Sequence, residues 1–478
     1  MQKYINLITN VGIFALSNIA LKLMTFLLVP LYTYYLSTTE YGLTDMLNTV
    51  LNIAMPLLTV SISDGVLRYC IESDGERHSQ VEYVSAGFIV NAVSCILAAT
   101  VMPFLDMPVF GGLGMYKQWY MLCYVLLTFN TYHSNVARGL NQMKLIAVSS
   151  ILTSAVNIVV AIILFAVAHC GIYAFFISTA AGYLAGIVLY VMCGRHLSYL
   201  SFRQVKRATY LDLLTYSLPL VPNTLFWWAA QSINRFFITG VLGIAASGLF
   251  AAASKLSSFL NLVSSIFQQA WNISAFQERE GEDRDHFFNS VFPIYLLLLI
   301  CCCGVLVPLT PLVSSIVLQK QFYMSWRLTP VLIIAFLFSS LNAFWGSIYT
   351  ACLKTKQLFV TTMWGAIACV LLNWWFIPIL GLQGACLATA ISNAIVWLAR
   401  VIDSRRIMKI RVHWLQIISE ITLLALSSAA LITLERYSVG VSLVFGLLAI
   451  GVQAFSARNS IHSLITNIPI LHRGEKDV

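Results

Sequence analysis

Between Asn10 and Tyr35 the chain carries a single charged side chain, Lys22, and apolar runs of similar length recur to the end of the sequence. Such a run crosses about 30 Å of hydrocarbon with about 20 residues as a helix, because a helix satisfies its own backbone donors and acceptors where no water is present. Composition agrees: 59% of residues are hydrophobic and 10% charged, against about 25% charged in soluble domains. The reading is an all-α integral membrane protein.

Polar breaks place spans near 10–35, 44–67, 82–105, 118–137, 146–168 and 171–193, then 215–240, 248–275, 288–309, 328–352, 358–380, 382–402, 413–434 and 438–457, about 14 transmembrane helices in all. The first is too long for a signal-peptide core and lacks a small-residue cleavage site, so it is expected to stay as a span. Breaks at His169–Gly171 and Gly381–Gln383 rest on little more than a glycine turn. The 11 cysteines fall mostly inside apolar runs without CxxC pairing, which reads as small core residues, with a redox or metal role as the alternative. A formal charge of +9 comes from bases scattered through short loops, not from the basic face of a nucleic-acid binder.

With the N-terminus cytoplasmic, inside segments collect 21 Lys and Arg and outside segments four (Lys117, Lys320, Arg327, Arg436), while Lys22, Arg235 and Lys255 fall within spans. That asymmetry sets both termini in the cytoplasm and the span count as even. The longest inside connection, Gly194–Asp212, carries Arg195, Arg203, Lys206 and Arg207 and is expected to lie on the inner leaflet as an amphipathic helix. It divides the chain into residues 1–212, holding spans one to six, residues 213–402, holding spans seven to twelve, and residues 403–478 with two further spans and a tail.

The halves echo each other. A shift of 206 lays Tyr41-Gly42-Leu43 on Ser247-Gly248-Leu249 and Asp74-Gly75-Glu76 on Glu280-Gly281-Glu282, and a shift of 213 lays Leu140 on Leu353, Leu145 on Leu358 and Gly171 on Gly384. The pattern reads as a duplicated six-span unit in parallel orientation.

A charge at mid-bilayer costs about 2.5 to 3.5 kcal/mol on insertion scales, so each buried base is a candidate for function. Lys22 lies near the centre of span one, Arg235 late in span seven after Gln231 and Asn234, and Lys255 early in span eight. Arg68 ends span two on the inner side, where it serves either as a substrate contact or as a positive-inside anchor; Asp64, four residues earlier, can pair with it on one helix face. These four bases form a cationic series suited to phosphate. The few acids within spans, Asp45, Asp64 and Glu420, argue against a cation exporter; Asp45 and Asp64 are candidates for pairing or ion coupling. His133 in span four reads as a satisfied interior histidine, with a proton relay as its functional alternative. Span asparagines read mainly as interhelical links, and Pro30, Pro56, Pro219 and Pro222 are expected to kink their spans. No catalytic motif, metal site or cofactor-binding loop occurs in a usable context.

The hairpin PLYTYYLSTTEYGLTDM, followed by SISDGVLRYCIE and, in the second half, NWWFIPILGLQGACLATAISN, resembles the polysaccharide and oligosaccharide flippases of the multidrug/oligosaccharidyl-lipid/polysaccharide exporter superfamily. The resemblance implies two six-helix lobes in a V around a central cavity, with two extra C-terminal helices, in a bacterial inner membrane. It further implies a non-enzymatic flippase that moves an undecaprenyl-pyrophosphate-linked repeat unit to the periplasmic leaflet for O antigen, capsule or exopolysaccharide. Lys22, Arg68, Arg235 and Lys255 stand where such proteins hold the pyrophosphate. Expected partners are the lipid-linked glycan, membrane lipids, and the polymerase and chain-length proteins of the same pathway, with no nucleic acid and no cofactor. The alternatives are a drug/cation antiporter or peptidoglycan-precursor flippase of the same superfamily, or an integral membrane polymerase or ligase.

Overall fold

The computed structural model describes residues 26–73, 76–277, 284–352, 354–408, 410–434 and 438–467. Lys22 lies outside them. All fourteen expected spans have a helical counterpart in the described chain, and no strand occurs among the described residues. The part of span one that is described is α1 (Phe26–Tyr35). There follow α2 (Thr38–Leu58), α3 (Ile62–Glu72), α4 (Arg77–Val101), α5 (Lys117–Gly139), α6 (Met143–Ile162) and α7 (Ile172–Cys193). The later helices are α8 (Arg207–Ser217), α9 (Leu220–Leu242), α10 (Ile244–Ser257), α11 (Phe259–Gln277), α12 (Arg284–Val317), α13 (Thr329–Ala351), α14 (Thr355–Ser404), α15 (Trp414–Thr433) and α16 (Ser438–Asn467). Among the described residues, eight helices are long and apolar enough to cross a membrane, or ten if each of two bent pairs makes one span.

The bends have local causes. Span two is α2 and α3 joined at 55°. Pro56 removes one donor from the α2 ladder, and Val60 and Ser61 then adopt left-handed backbone conformations with φ of 53° and 51°. For β-branched Val60 that region is sterically costly. Pro219 lies at the break between α8 and α9 rather than inside a span, and Pro222 falls in the first turn of α9, where a missing N–H is tolerated. The 50 residues of α14 would extend about 75 Å if straight. Instead Gly381, at φ 58° and ψ −136°, folds it into two arms.

Gly381 corrects the register of the repeat. Gly171, between α6 and α7, has φ 55° and ψ −137°, so the same turn recurs 210 residues later at Gly381, not at Gly384. Both are left-handed positions that favour glycine. The first echo keeps its expected offset: α2 begins at Thr38 and α10 at Ile244. There Gly42 and Gly248 adjoin, and a Cβ on Gly42 would lie 2.2 Å from the Ile244 carbonyl oxygen while one on Gly248 would lie 2.0 Å from that of Thr38. Only glycine permits this reciprocal approach of two backbones.

The chain forms two compact units, one reaching Ala251 and including Gln319–Phe322, the other holding Ala252–Leu318 and the chain from Tyr323 on. In the first, Ile62, Val66, Val84, Tyr132 and Leu213 from α3, α4, α5 and α8 make a buried core. In the second, Trp271, Phe288, Phe344, Trp345 and Trp397 centre a larger one; α16 closes on α12 where Gly304 and Gly446 meet backbone to backbone.

The connection 194–212 is not one surface helix. Arg195 turns into the left-handed region, His196–Tyr199 form one 3-10 turn, and α8 begins at Arg207. Buried contacts override amphipathic helix formation: Ser201 N donates to Ser85 Oγ at 2.7 Å, Lys206 N donates to Glu82 Oε1 at 3.2 Å, and Thr209 Oγ1 donates to the same carboxylate.

Candidate substrate-binding site

Asp45 and Arg235, 190 residues apart in sequence, meet in the first unit. Arg235 Nε donates to Asp45 Oδ2 at 2.6 Å, with the side chains 17% and 12% exposed. The same guanidinium donates to Gln231 O and to Asn234 Oδ1, each at 3.3 Å. One turn along α2, Trp228 Nε1 donates to Thr49 O at 3.2 Å. The pairs 45 with 235 and 49 with 228 show that α2 and α9 run antiparallel, with α9 seated on α2 by an ion pair and an indole. Phe236, next to Arg235, lines an apolar cavity of about 240 Å³ together with Val50, Ile53, Leu57, Phe104 and Phe110.

Arg68 has other company. It pairs with Glu72 at 2.8 Å, both side chains about half exposed, and its guanidinium lies 4.5 Å from the centre of the Tyr216 ring. The expected Asp64–Arg68 pairing is therefore corrected: Asp64 Oδ1 accepts from Asn135 Nδ2 of α5 at 3.3 Å, and Arg138 is the positive charge beside it. Asp64 turns toward α5 while Arg68 turns toward α8 and the following turn of its own helix. Lys255 is exposed in the last turn of α10 and belongs to the second unit.

His133 is buried, and its Nδ1 stands 3.1 Å from Nδ1 of His196. Gln142 Nε2 donates to Gly194 O at 3.4 Å, leaving Gln142 Oε1 to accept from His196 Nε2 at 3.1 Å. His196 thus carries its proton on Nε2, and its bare Nδ1 accepts from the Nδ1–H of His133. Burial pushes the His196 imidazole down to about 4, so this ring is neutral at neutral pH.

Three charged groups escaped sequence reasoning. Arg400, counted there among the cytoplasmic bases, is 7% exposed; its Nε and Nη2 donate to Thr361 and Thr362 at 3.2 and 3.0 Å and its Nη1 to Asn342 O at 2.5 Å. Its position two residues before the end of span twelve was the available signal. Glu82, at the start of span three, is buried and anchors α8. Glu420, noted only as an acid within a span, is buried and accepts from Gln416 Nε2 at 2.7 Å.

The sequence profile of the family described as polysaccharide biosynthesis protein matches residues 7–272. An uncharacterized membrane protein of Methanocaldococcus jannaschii is 22% identical over 421 residues, covering 82% of this chain and 97% of its own length. Among solved structures, the inward-facing form of a multidrug resistance MATE family transporter of the MOP superfamily aligns with a TM-score of 0.69 at 13% identity, covering 82% of this chain and 97% of its own. The inward closed form of the lipid II flippase MurJ aligns with 0.68 at 13% identity, covering 94% and 99%. At these identities the structural likeness shows the fold.

Proposed function

The chain belongs to the polysaccharide biosynthesis protein family, and on that premise we propose that it is a flippase for an undecaprenyl-pyrophosphate-linked oligosaccharide repeat unit, not an enzyme. The observation that carries the reading is the family match, because residues 7–272 include Lys22, Arg68, Arg235 and Lys255, the bases set within or at the ends of otherwise apolar segments. In this reading the prenyl tail stays in lipid while the head group crosses by alternating access. The phosphates exchange among cations, each bond charge-assisted. Arg235 is held by Asp45 until an anionic head group competes for it. A potential negative inside contributes about 2.3 kcal/mol per elementary charge per 100 mV toward outward movement of the anion.

The test is glycan export in a bacterial strain that lacks its own repeat-unit flippase and carries this chain. The parent chain restores surface glycan, and Lys22→Ala abolishes it while the protein level in the membrane holds. Normal export by Lys22→Ala removes the lysine from the pathway; no export by the parent chain, together with new resistance to cationic drugs, replaces the reading with an antiporter of the MATE kind.

A further inference from the structure

Three helices of the first unit, α3, α4 and α8, bring Arg68, Tyr69, Glu72, Tyr83, Asp212 and Tyr216 to one partly exposed place. We infer that this cluster is a saccharide-binding platform, on which the glycan part of the transported lipid rests; the inference depends on the flippase reading and deepens it.

The rings provide the surface. Tyr69 and Tyr83 stack with centroids 4.7 Å apart and planes 11° apart, and Tyr216 stands edge-on to Tyr69 at 6.4 Å and 80°. Two ring orientations at nearly a right angle are thus presented at the meeting of three helices. A pyranose ring has an apolar C–H face and a rim of hydroxyls. An aromatic face, whose electron density attracts positively polarised C–H groups, takes the first, and ionised carboxylates take the second with charge-assisted hydrogen bonds.

Both kinds of group are here. Glu72 and Asp212 are exposed. Tyr69 Oη donates to the Asp212 carbonyl at 3.2 Å and Tyr83 Oη donates to Asp212 Oδ2 at 3.4 Å, which fixes the rings relative to the carboxylate. Arg68 lies over Tyr216 and is held by Glu72, so its remaining N–H groups add donors to the rim.

Charge decides between sugar and phosphate. Arg68 is already paired with Glu72, and the Asp212 carboxylate held by Tyr83 adds a further negative charge, which disfavours a diphosphate and leaves a polyhydroxy ligand as the fitting one. Tyr69 and Tyr83 also pack against the core of Ile62, Val66, Val84 and Leu213, which holds their rings in place beneath the exposed carboxylates. Arg68 is thereby reassigned from the pyrophosphate to the glycan.

The experiment measures binding to the full chain in lipid nanodiscs, using farnesyl diphosphate, the same lipid bearing one N-acetylhexosamine, and the free methyl glycoside of that sugar. The attached sugar is expected to raise affinity about tenfold, the size of an aromatic contact. Tyr216→Ala and Asp212→Asn each erase that gain while binding of the bare lipid is unchanged, and Tyr216→Phe, which keeps the ring, retains it. The inference is overturned if the sugar adds nothing, if Tyr216→Ala leaves the gain intact, or if only the free glycoside binds. Loss of binding to both lipids overturns the flippase reading itself, and this inference with it.

Discussion

Two arginine–carboxylate pairs of the first unit share a chemistry and differ in surroundings. Arg235–Asp45 joins α9 to α2 with both side chains less than one-fifth exposed, whereas Arg68–Glu72 links successive turns of α3 with both about half exposed. In the first, desolvation raises the stake, because either partner left alone is a charge buried among apolar helices. In the second, water and screening replace most of what the pair supplies. The buried pair is therefore an element of architecture that a competing anion must open, and the exposed pair is free to exchange partners with a ligand. The His133–His196 contact stands between them: it is as buried as the first, yet carries no net charge.

Breaking the buried pair is expected to have the largest effect. Asp45→Ala strands Arg235 and should lower unfolding stability in detergent by about 4 kcal/mol; the exchange of the two, Asp45→Arg with Arg235→Asp, should recover more than half. Equal melting of Asp45→Ala and the parent chain would show that the pair does not hold α9 to α2.

The histidine contact comes next. His196 has an ordinary value of 6.5 and is held down to about 4 by burial, so the folded chain favours the neutral ring. The stabilisation from this group is present above pH 6.5 and is lost as the pH falls toward 4, about 3 kcal/mol in full. His196→Gln should flatten the acid side of a stability profile; an unchanged slope would assign that slope to other groups.

The smallest effect belongs to the exposed pair. Glu72→Gln should leave the melting temperature within experimental error, in contrast to Asp45→Ala. A large shift on melting would mean that α3 is held by its surface charges and not by the core of Ile62, Val66 and Leu213.

Much of the fold was legible because helix formation in an apolar run is local. Backbone groups inside a span can bond only to neighbours four residues away, so each expected apolar span has a helical counterpart among the described residues, and the glycine at Gly171 gave its hairpin. Boundaries slipped where local chemistry is ambiguous. Gly381 and Gly384 lie three residues apart in sequence, and only the backbone angles show that the turn is at Gly381 while Gly384 is helical. Pro56 pointed to a kink, but the 55° bend also needed Val60 and Ser61 in left-handed conformations.

The candidate site was legible as a set of residues and not as a set of partners. Charge within an apolar segment singled out Asp45, Asp64, Arg68, Arg235 and Lys255 from one-dimensional information, since the insertion cost of a charge depends on its own segment. Which charge neutralises which depends on contacts such as 45 with 235 and 82 with 206, set by helix packing across more than a hundred residues. The sequence alone determined that this chain is a bundle of membrane helices with a repeated half and a few misplaced charges. Tertiary structure alone decided that Arg235 is locked to Asp45, that Arg400 is buried, and that Arg68 lies among tyrosines and carboxylates, because the energy of a charge is fixed by its neighbours in space.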